Sequence, residues 1–181
     1  MAPGNSAKNP RGLIQVHVLL LLVLVLYSTA AYSSLPARYA VHFNFKGEVD
    51  RWAEKGSIEY WLLPGIAALV GTLILVSLRL PPRWYNFPQK EQVDRWPEER
   101  RTPIYTALKE MLVILAIVID VMMLGIQAAV VQSANGHPSR WIAAVFAVAV
   151  LIPVVAISYL IRISRHVKRT ESEFKLTGWM P

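Results

Sequence analysis

The stretch MLVILAIVIDVMMLGIQAAVV, Met111 to Val131, decides the architecture. Crossing a bilayer takes roughly 20 predominantly apolar residues in a helix, and this run supplies them around one acid, Asp120. Three further runs meet the same requirement: Leu13 to Tyr32, Tyr60 to Leu80 and Trp141 to Ile161. Charge, proline or an interfacial aromatic bounds each run, with Tyr27, Tyr32, Tyr60, Trp61 and Trp141 placed as an aromatic belt.

The expected fold is therefore an all-α bundle of four transmembrane helices, with a small extracytoplasmic β-hairpin-like loop between the first two. The spans are set at 13–32, 60–80, 106–131 and 141–161. Outer loops cover 33–59 and 132–140, a cytoplasmic loop covers 81–105, and a cytoplasmic tail covers 162–181. Composition agrees: 54% of residues are hydrophobic and 17% charged, against about 25% charged in soluble domains. Lys8 and Arg11 before a Leu/Val run also fit a signal peptide, with Ser28-Thr29-Ala30 as a cleavage site. The run outlasts a typical signal core of about 7–15 residues, so an uncleaved anchor is preferred.

Basic residues set the expected orientation. With the N-terminus inside, the cytoplasmic side collects fourteen of the nineteen lysines and arginines, including the Arg162–Arg169 tail. Arg38, Lys46, Arg51, Lys55 and Arg140 fall on the other side. Both ends are thus expected on the cytoplasmic side of a cell membrane. The net charge of +7 is interleaved with apolar runs, so the bilayer is its expected partner rather than nucleic acid. The absence of cysteine excludes disulfides and thiolate chemistry.

In the outer loop, Arg38–Phe43 is suited to a strand and Asn44-Phe45-Lys46-Gly47 to a turn. Glu48–Trp52 then returns as a second strand. Phe43 and Trp52 are placed against the lipid interface. His42 and Asp50, with Glu48 and Glu54 nearby, could form a cation or ligand site, although zinc-type spacing is missing. The preferred reading is structural, with Asp50 accepting hydrogen bonds from the turn backbone and His42 buttressing the hairpin. Leu35-Pro36, Val41-His42-Phe43-Asn44 and Gly47-Glu48-Val49-Asp50-Arg51-Trp52 together resemble the signature of the DUF1648 family of bacterial membrane proteins. Asn86-Phe87-Pro88-Gln89-Lys90 resembles that family's second marker, and the likeness extends over roughly residues 15–130. The resemblance implies a hairpin after the first membrane helix, with His42, Asn44, Gly47, Asp50 and Trp52 as its signature residues. It also implies kinship with an immunity protein against a sporulation-delay toxin, which carries further membrane helices.

Asp120 is the second candidate site. An acid inside a bilayer costs several kcal/mol unless paired or wetted. Lys109, Val113, Ala116, Asp120, Leu124 and Gln127 share a helical face that is expected to point into the bundle. The Thr72 hydroxyl and the Ala149 carbonyl, freed by Pro153, are the expected partners of Asp120. Counted from the cytoplasmic boundary, His17 sits roughly 8–9 Å too shallow to join them. Ala67/Gly71 and Ala143/Ala147 place small residues one turn apart, allowing close helix approach.

Thr102-Pro103 is set as the start of the third helix. Val49-Asp50-Arg51-Trp52 recurs as Val93-Asp94-Arg95-Trp96 in surroundings that do not match, and is read as coincidence. There is no convincing nucleophile–base pair, phosphate loop or metal motif. The expectation is a non-enzymatic multi-pass membrane protein without a cofactor, sensing a peptide ligand or a partner membrane protein through its outer loop. The alternative is a small transporter, or an accessory subunit of one, coupling protons or cations through Asp120.

Overall fold

Apolar continuity, broken by proline and charge, produces five helices and one hairpin among the described residues. The computed structural model describes residues 10–44, 46–136 and 141–178. Lys8, Phe45, Arg140 and the last residues of the tail, to which expectations were attached above, lie outside them. In chain order the elements are α1 (Arg11–Tyr32), β1 (Arg38–Phe43), β2 (Val49–Glu54), α2 (Glu59–Ser77), α3 (Lys90–Asp94), α4 (Glu98–Ala134) and α5 (Trp141–Thr177). A 3-10 turn, Pro82–Trp84, follows α2. Four of these helices, α1, α2, α4 and α5, are long and apolar enough to cross a membrane. The chain is a membrane protein by that criterion.

The helices α4 and α5 are much longer than a span requires. At about 1.5 Å per residue each extends roughly 55 Å, against an apolar bilayer core of about 30 Å. The surplus lies at the Glu98 end of α4 and the Thr177 end of α5, where both helices turn polar. The expected α4 start at Thr102-Pro103 is therefore wrong. Pro97 precedes the first turn, Thr102 Oγ1 donates to the Glu98 carbonyl at 2.7 Å, and Pro103 lies inside the helix. Likewise α2 ends at Ser77, three residues before the expected boundary. The tail continues α5 without a break.

Two small cores close the ends. On the basic face, Phe87, Val93 and Trp96 pack against Ile104, Tyr105 and Leu108 of α4 and against Ile163 and Val167 of α5. Phe87 and Tyr105 meet edge to face at 5.7 Å, as do Trp96 and Phe174 at 5.6 Å. The element Asn86–Lys90 is thus the entry to a folded unit. Its Gln89 adopts φ 67°, which turns the chain into α3. At the opposite face Leu35, Tyr39 and Ala53 of the loop pack on Tyr60 of α2 and Val130 of α4.

Small residues are used selectively. Ala67 and Gly71 are buried, whereas Ala143 and Ala147 are exposed. That second pattern is not a packing face here. The two Val-Asp-Arg-Trp copies also diverge, one in strand β2 and the other at the end of α3.

Candidate functional site

The hairpin forms where alternating β-branched and aromatic residues flank a turn. β1 and β2 pair antiparallel, with Arg38 opposite Glu54 and Phe43 opposite Val49, and with register irregularities around His42. The turn is organised by Asn44. Its Oδ1 accepts from the backbone N–H groups of Lys46 (2.9 Å) and Glu48 (3.0 Å), and its Nδ2 donates to the Glu48 carboxylate at 2.9 Å. Gly47 takes φ 81°, a left-handed conformation that suits glycine. Asp50 does not serve the turn backbone, contrary to expectation. Instead its Oδ1 lies 2.5 Å from His42 Nδ1 across the strands. The short amide of Asn44, two residues before the turning backbone, reaches those N–H groups first. Trp52 is exposed, opposite Ala40. Among the described residues no group of three His, Asp or Glu side chains comes together as a metal set.

A network of hydrogen bonds ties the hairpin to the bundle. Lys55 Nζ donates to the carbonyls of Ser33 (2.9 Å) and Leu35 (2.8 Å), just past the end of α1. It also lies 5.6 Å from the Tyr32 ring centroid. The Tyr60 hydroxyl donates to the Ser28 carbonyl at 2.8 Å.

The buried face expected for α4 is present: Val113, Ala116, Asp120 and Gln127 are all enclosed. The partner of Asp120 is a different residue from those expected. His17 Nδ1 lies 2.5 Å from Asp120 Oδ2, with the side chains 0% and 1% exposed. Thr72 faces outward, as does Pro153, and neither Thr72 nor Ala149 forms a hydrogen bond with Asp120 in the structure. The error came from measuring depth at the wrong end. The overhang of α4 on the basic face shifts its apparent entry point, whereas α1 and α4 finish together at the hairpin. Tyr32 ends α1 fifteen residues after His17, and Ala134 ends α4 fourteen residues after Asp120. Counted from that shared end, the two side chains lie within about 1.5 Å of equal depth.

Gly71 completes this site. A Cβ at that position would lie 2.5 Å from His17 Cε1 and 2.6 Å from Nε2, so only glycine leaves room for the ring. Three helices therefore converge: α1 brings the imidazole, α4 the carboxylate and α2 a bare backbone. His17 Nε2 is buried with no hydrogen-bond partner. In either net-neutral form of the pair, ionic or uncharged, one proton lies between Nδ1 and Oδ2 and the other is on Nε2. Whichever tautomer the ring adopts, Nε2 is a buried polar atom left unpaired, which costs stability.

Gln127 lies two turns nearer the hairpin than Asp120 and does not join it. Both polar atoms of its amide are buried without a hydrogen bond. Tyr60 lies close enough for its hydroxyl to be influenced by the amide, but its proton is committed to Ser28 and the geometry of a bond to Gln127 is not met.

On the basic face, Asp94 accepts from Lys90 Nζ and from the Tyr105 hydroxyl. Burial alone would raise the Asp94 pKa. The hydrogen bonds from Lys90 and Tyr105, together with the charges of Lys90 and Arg101, outweigh it and hold the carboxyl below its usual range. Tyr105 is pushed up, first by burial and then by Asp94. Sequence reasoning did not identify this cluster. Its signals were the i,i+4 spacing of Lys90 and Asp94 and the apolar Phe87, Val93 and Trp96 beside them.

Fold and site together define a four-span membrane protein with a hairpin on one face, a helical core on the other and a buried histidine–aspartate pair between. Residues 19–68 match the model of DUF1648, a domain of unknown function. The matched segment contains most of α1, the whole hairpin and the first half of α2. It is shorter than the stretch of roughly 15–130 suggested by resemblance, and Asn86–Lys90, His17, Gly71 and Asp120 fall outside it. No curated protein and no solved structure matches the chain.

Proposed function

We propose that this protein is a non-enzymatic membrane sensor, in which the hairpin meets a peptide ligand or a partner membrane protein and α4 conveys its state to the basic face. One observation carries the reading. The unbroken helix α4 touches the hairpin core through Val130, holds Asp120 against His17, and enters the basic-face core through Ile104, Tyr105 and Leu108. A rigid helix contacting both ends is a physical link between them. An immunity-type role, in which the hairpin receives a toxin, is one form of this function. The surplus of basic residues supports placing the core and both termini in the cytoplasm of a bacterial cell, with the hairpin outside.

Hydrogen exchange in nanodiscs tests the link. Replacing residues 38–54 with a Gly/Ser linker is expected to speed exchange across residues 87–108, far from the change. Unaltered exchange there, in a protein that retains its membrane abundance, sinks the sensor reading. Orientation has its own test. A cysteine introduced as Lys46→Cys is expected to react with an impermeant maleimide from outside intact cells, and reaction only after lysis overturns the topology.

A second reading has one specific observation in its favour. The buried His17–Asp120 contact supplies Asp120 with a titratable partner, as coupling of protons or cations to transport would use. Under this reading Asp120→Asn abolishes a proton-dependent flux in liposomes while leaving expression intact. A flux that persists in the variant removes the reading.

A further inference from the structure

Arg165 and His166 lie three and four residues after Arg162 along α5, and Arg169 lies seven after it, which puts the four on one helical face. That face borders Pro103, Ile104 and Ala107 of α4, and with Ile163 these residues enclose an open groove of about 310 Å³. The α4 wall is short and apolar here, and no carboxylate lines the groove. Carboxylates flank it at both ends, and Glu110 of α4 lies near Tyr159 at the membrane end. Glu173, beyond its far edge, is shared between Arg100 at 2.8 Å and Arg169 at 3.4 Å. Arg162 lies over the Tyr159 ring, 5.8 Å from its centroid. Arg165 has no ion pair among the described residues. Burial, and then the charge of Arg169, lower the His166 pKa below the usual histidine range, so near neutral pH the positive charge of the groove comes from arginine.

Position supplies the second constraint. The apolar run of α5 ends at Ile161, so Arg162 begins the groove at headgroup depth, and Arg169 lies about 10 Å further along the helix. Next to this entrance Ile157, Leu160 and Ile161 are exposed and apolar. A ligand seated here meets guanidinium groups at one end and a hydrocarbon-facing helix at the other. Guanidinium donors match phosphate oxygens in pairs. Basic pockets between membrane helices suit lipid headgroups for this reason.

We propose that this groove is a binding site for the headgroup phosphate of an anionic phospholipid, held by Arg162, Arg165 and Arg169, with its acyl chains along the exposed face of α5. The inference rests on the four-span reading and is independent of the sensor proposal. It places a specific lipid where α4 and α5 leave the bilayer, beside the basic-face core.

Native mass spectrometry of the full chain, released from neutral detergent, tests it with phosphatidylglycerol, phosphatidylcholine and inorganic phosphate as probes. The expected result is a saturable one-to-one phosphatidylglycerol adduct. Arg165→Gln with Arg169→Gln weakens it by roughly fivefold for each arginine removed. Ala107→Leu, which retains every charge but fills the groove, also removes the adduct. Lys168→Gln with Lys175→Gln removes equal charge outside the groove and leaves it intact. Equal weakening by the lysine pair means a diffuse basic surface and overturns the proposal, as does an adduct indifferent to the arginine pair. Inorganic phosphate or phosphatidylcholine binding as well as phosphatidylglycerol overturns the assignment to an anionic lipid. If Ala107→Leu does not elute as the wild type on gel filtration, the arginine and lysine pairs decide the matter alone.

Discussion

His17–Asp120 and His42–Asp50 are the same two side chains in contact at the same 2.5 Å through the same atom, Nδ1, yet their surroundings are opposite. The first pair is 0% and 1% exposed between membrane helices; the second is 60% and 45% exposed on the hairpin. Water and salt screen the exposed contact, so each partner loses little when the other leaves. Neither relief reaches the buried pair. There the removal of one group strands the other in a low-dielectric interior, and the cost is set by desolvation rather than by the contact itself. Contact distance alone therefore says little about how strongly each pair holds the fold.

The largest expected effect follows from that asymmetry. His17→Ala or Asp120→Ala should each destabilise the protein in detergent by about 3–5 kcal/mol, read as a lowered unfolding midpoint. The double variant His17→Leu with Asp120→Leu should recover most of the loss, because it removes both buried polar groups together. A double variant as damaged as either single one would show that the pair is not a mutually dependent unit.

Gly71 sharpens the contrast, since only the buried pair is enclosed by a third helix. Gly71→Ala should cost about 1–3 kcal/mol through overpacking against the imidazole. In a His17→Ala background the same change should cost almost nothing. If the penalty is unchanged there, something other than the ring fills the space beside Gly71.

The two pairs also differ in how far the sequence discloses them. The hairpin is legible because its determinants are local. Alternation gives the strands, and Asn44 and Gly47 give the turn within a few residues of one another. The partner of Asp120 depends on the axial offset between two helices more than a hundred residues apart in sequence. Apolar composition marks spans but leaves their relative depth open, and the overhang of α4 moved the count by more than a turn. The equal distance of His17 and Asp120 from the hairpin ends was the signal that could have corrected it. Gly71 was visible as half of a small-residue pattern, but its role required knowing which ring lay opposite. The basic-face core was hidden for a related reason, because Phe87, Val93 and Trp96 acquire a face to bury only once α4 and α5 outrun the membrane.

Asp94 belongs between the two pairs, neither enclosed by lipid-facing helices nor freely exposed. Tyr105→Phe removes one of its donors and should destabilise the basic-face core by about 1 kcal/mol. The folded carboxyl titrates below its ordinary range, so its contribution is fully present above about pH 4. It is lost as pH falls through the lower folded value. In the Tyr105→Phe variant that acid-dependent loss should be smaller, as measured by Trp96 fluorescence. An undiminished acid transition would place its origin in a different carboxylate.

The smallest effect is expected at the exposed pair. His42→Ala or Asp50→Ala should shift the unfolding midpoint by no more than about 1 kcal/mol, and by less as salt is raised. The hairpin retains its Asn44-centred turn, the Lys55 hydrogen bonds to Ser33 and Leu35, and the packing of Tyr39 on Tyr60 without that contact. This near-neutrality makes the pair useful for separating recognition from stability. A change in ligand response on losing His42 or Asp50, at constant membrane abundance, would assign those side chains to recognition. A midpoint shift comparable to that of His17→Ala would instead mean that the hairpin pair is shielded from water in the assembled protein, and the contrast between the two pairs would fail.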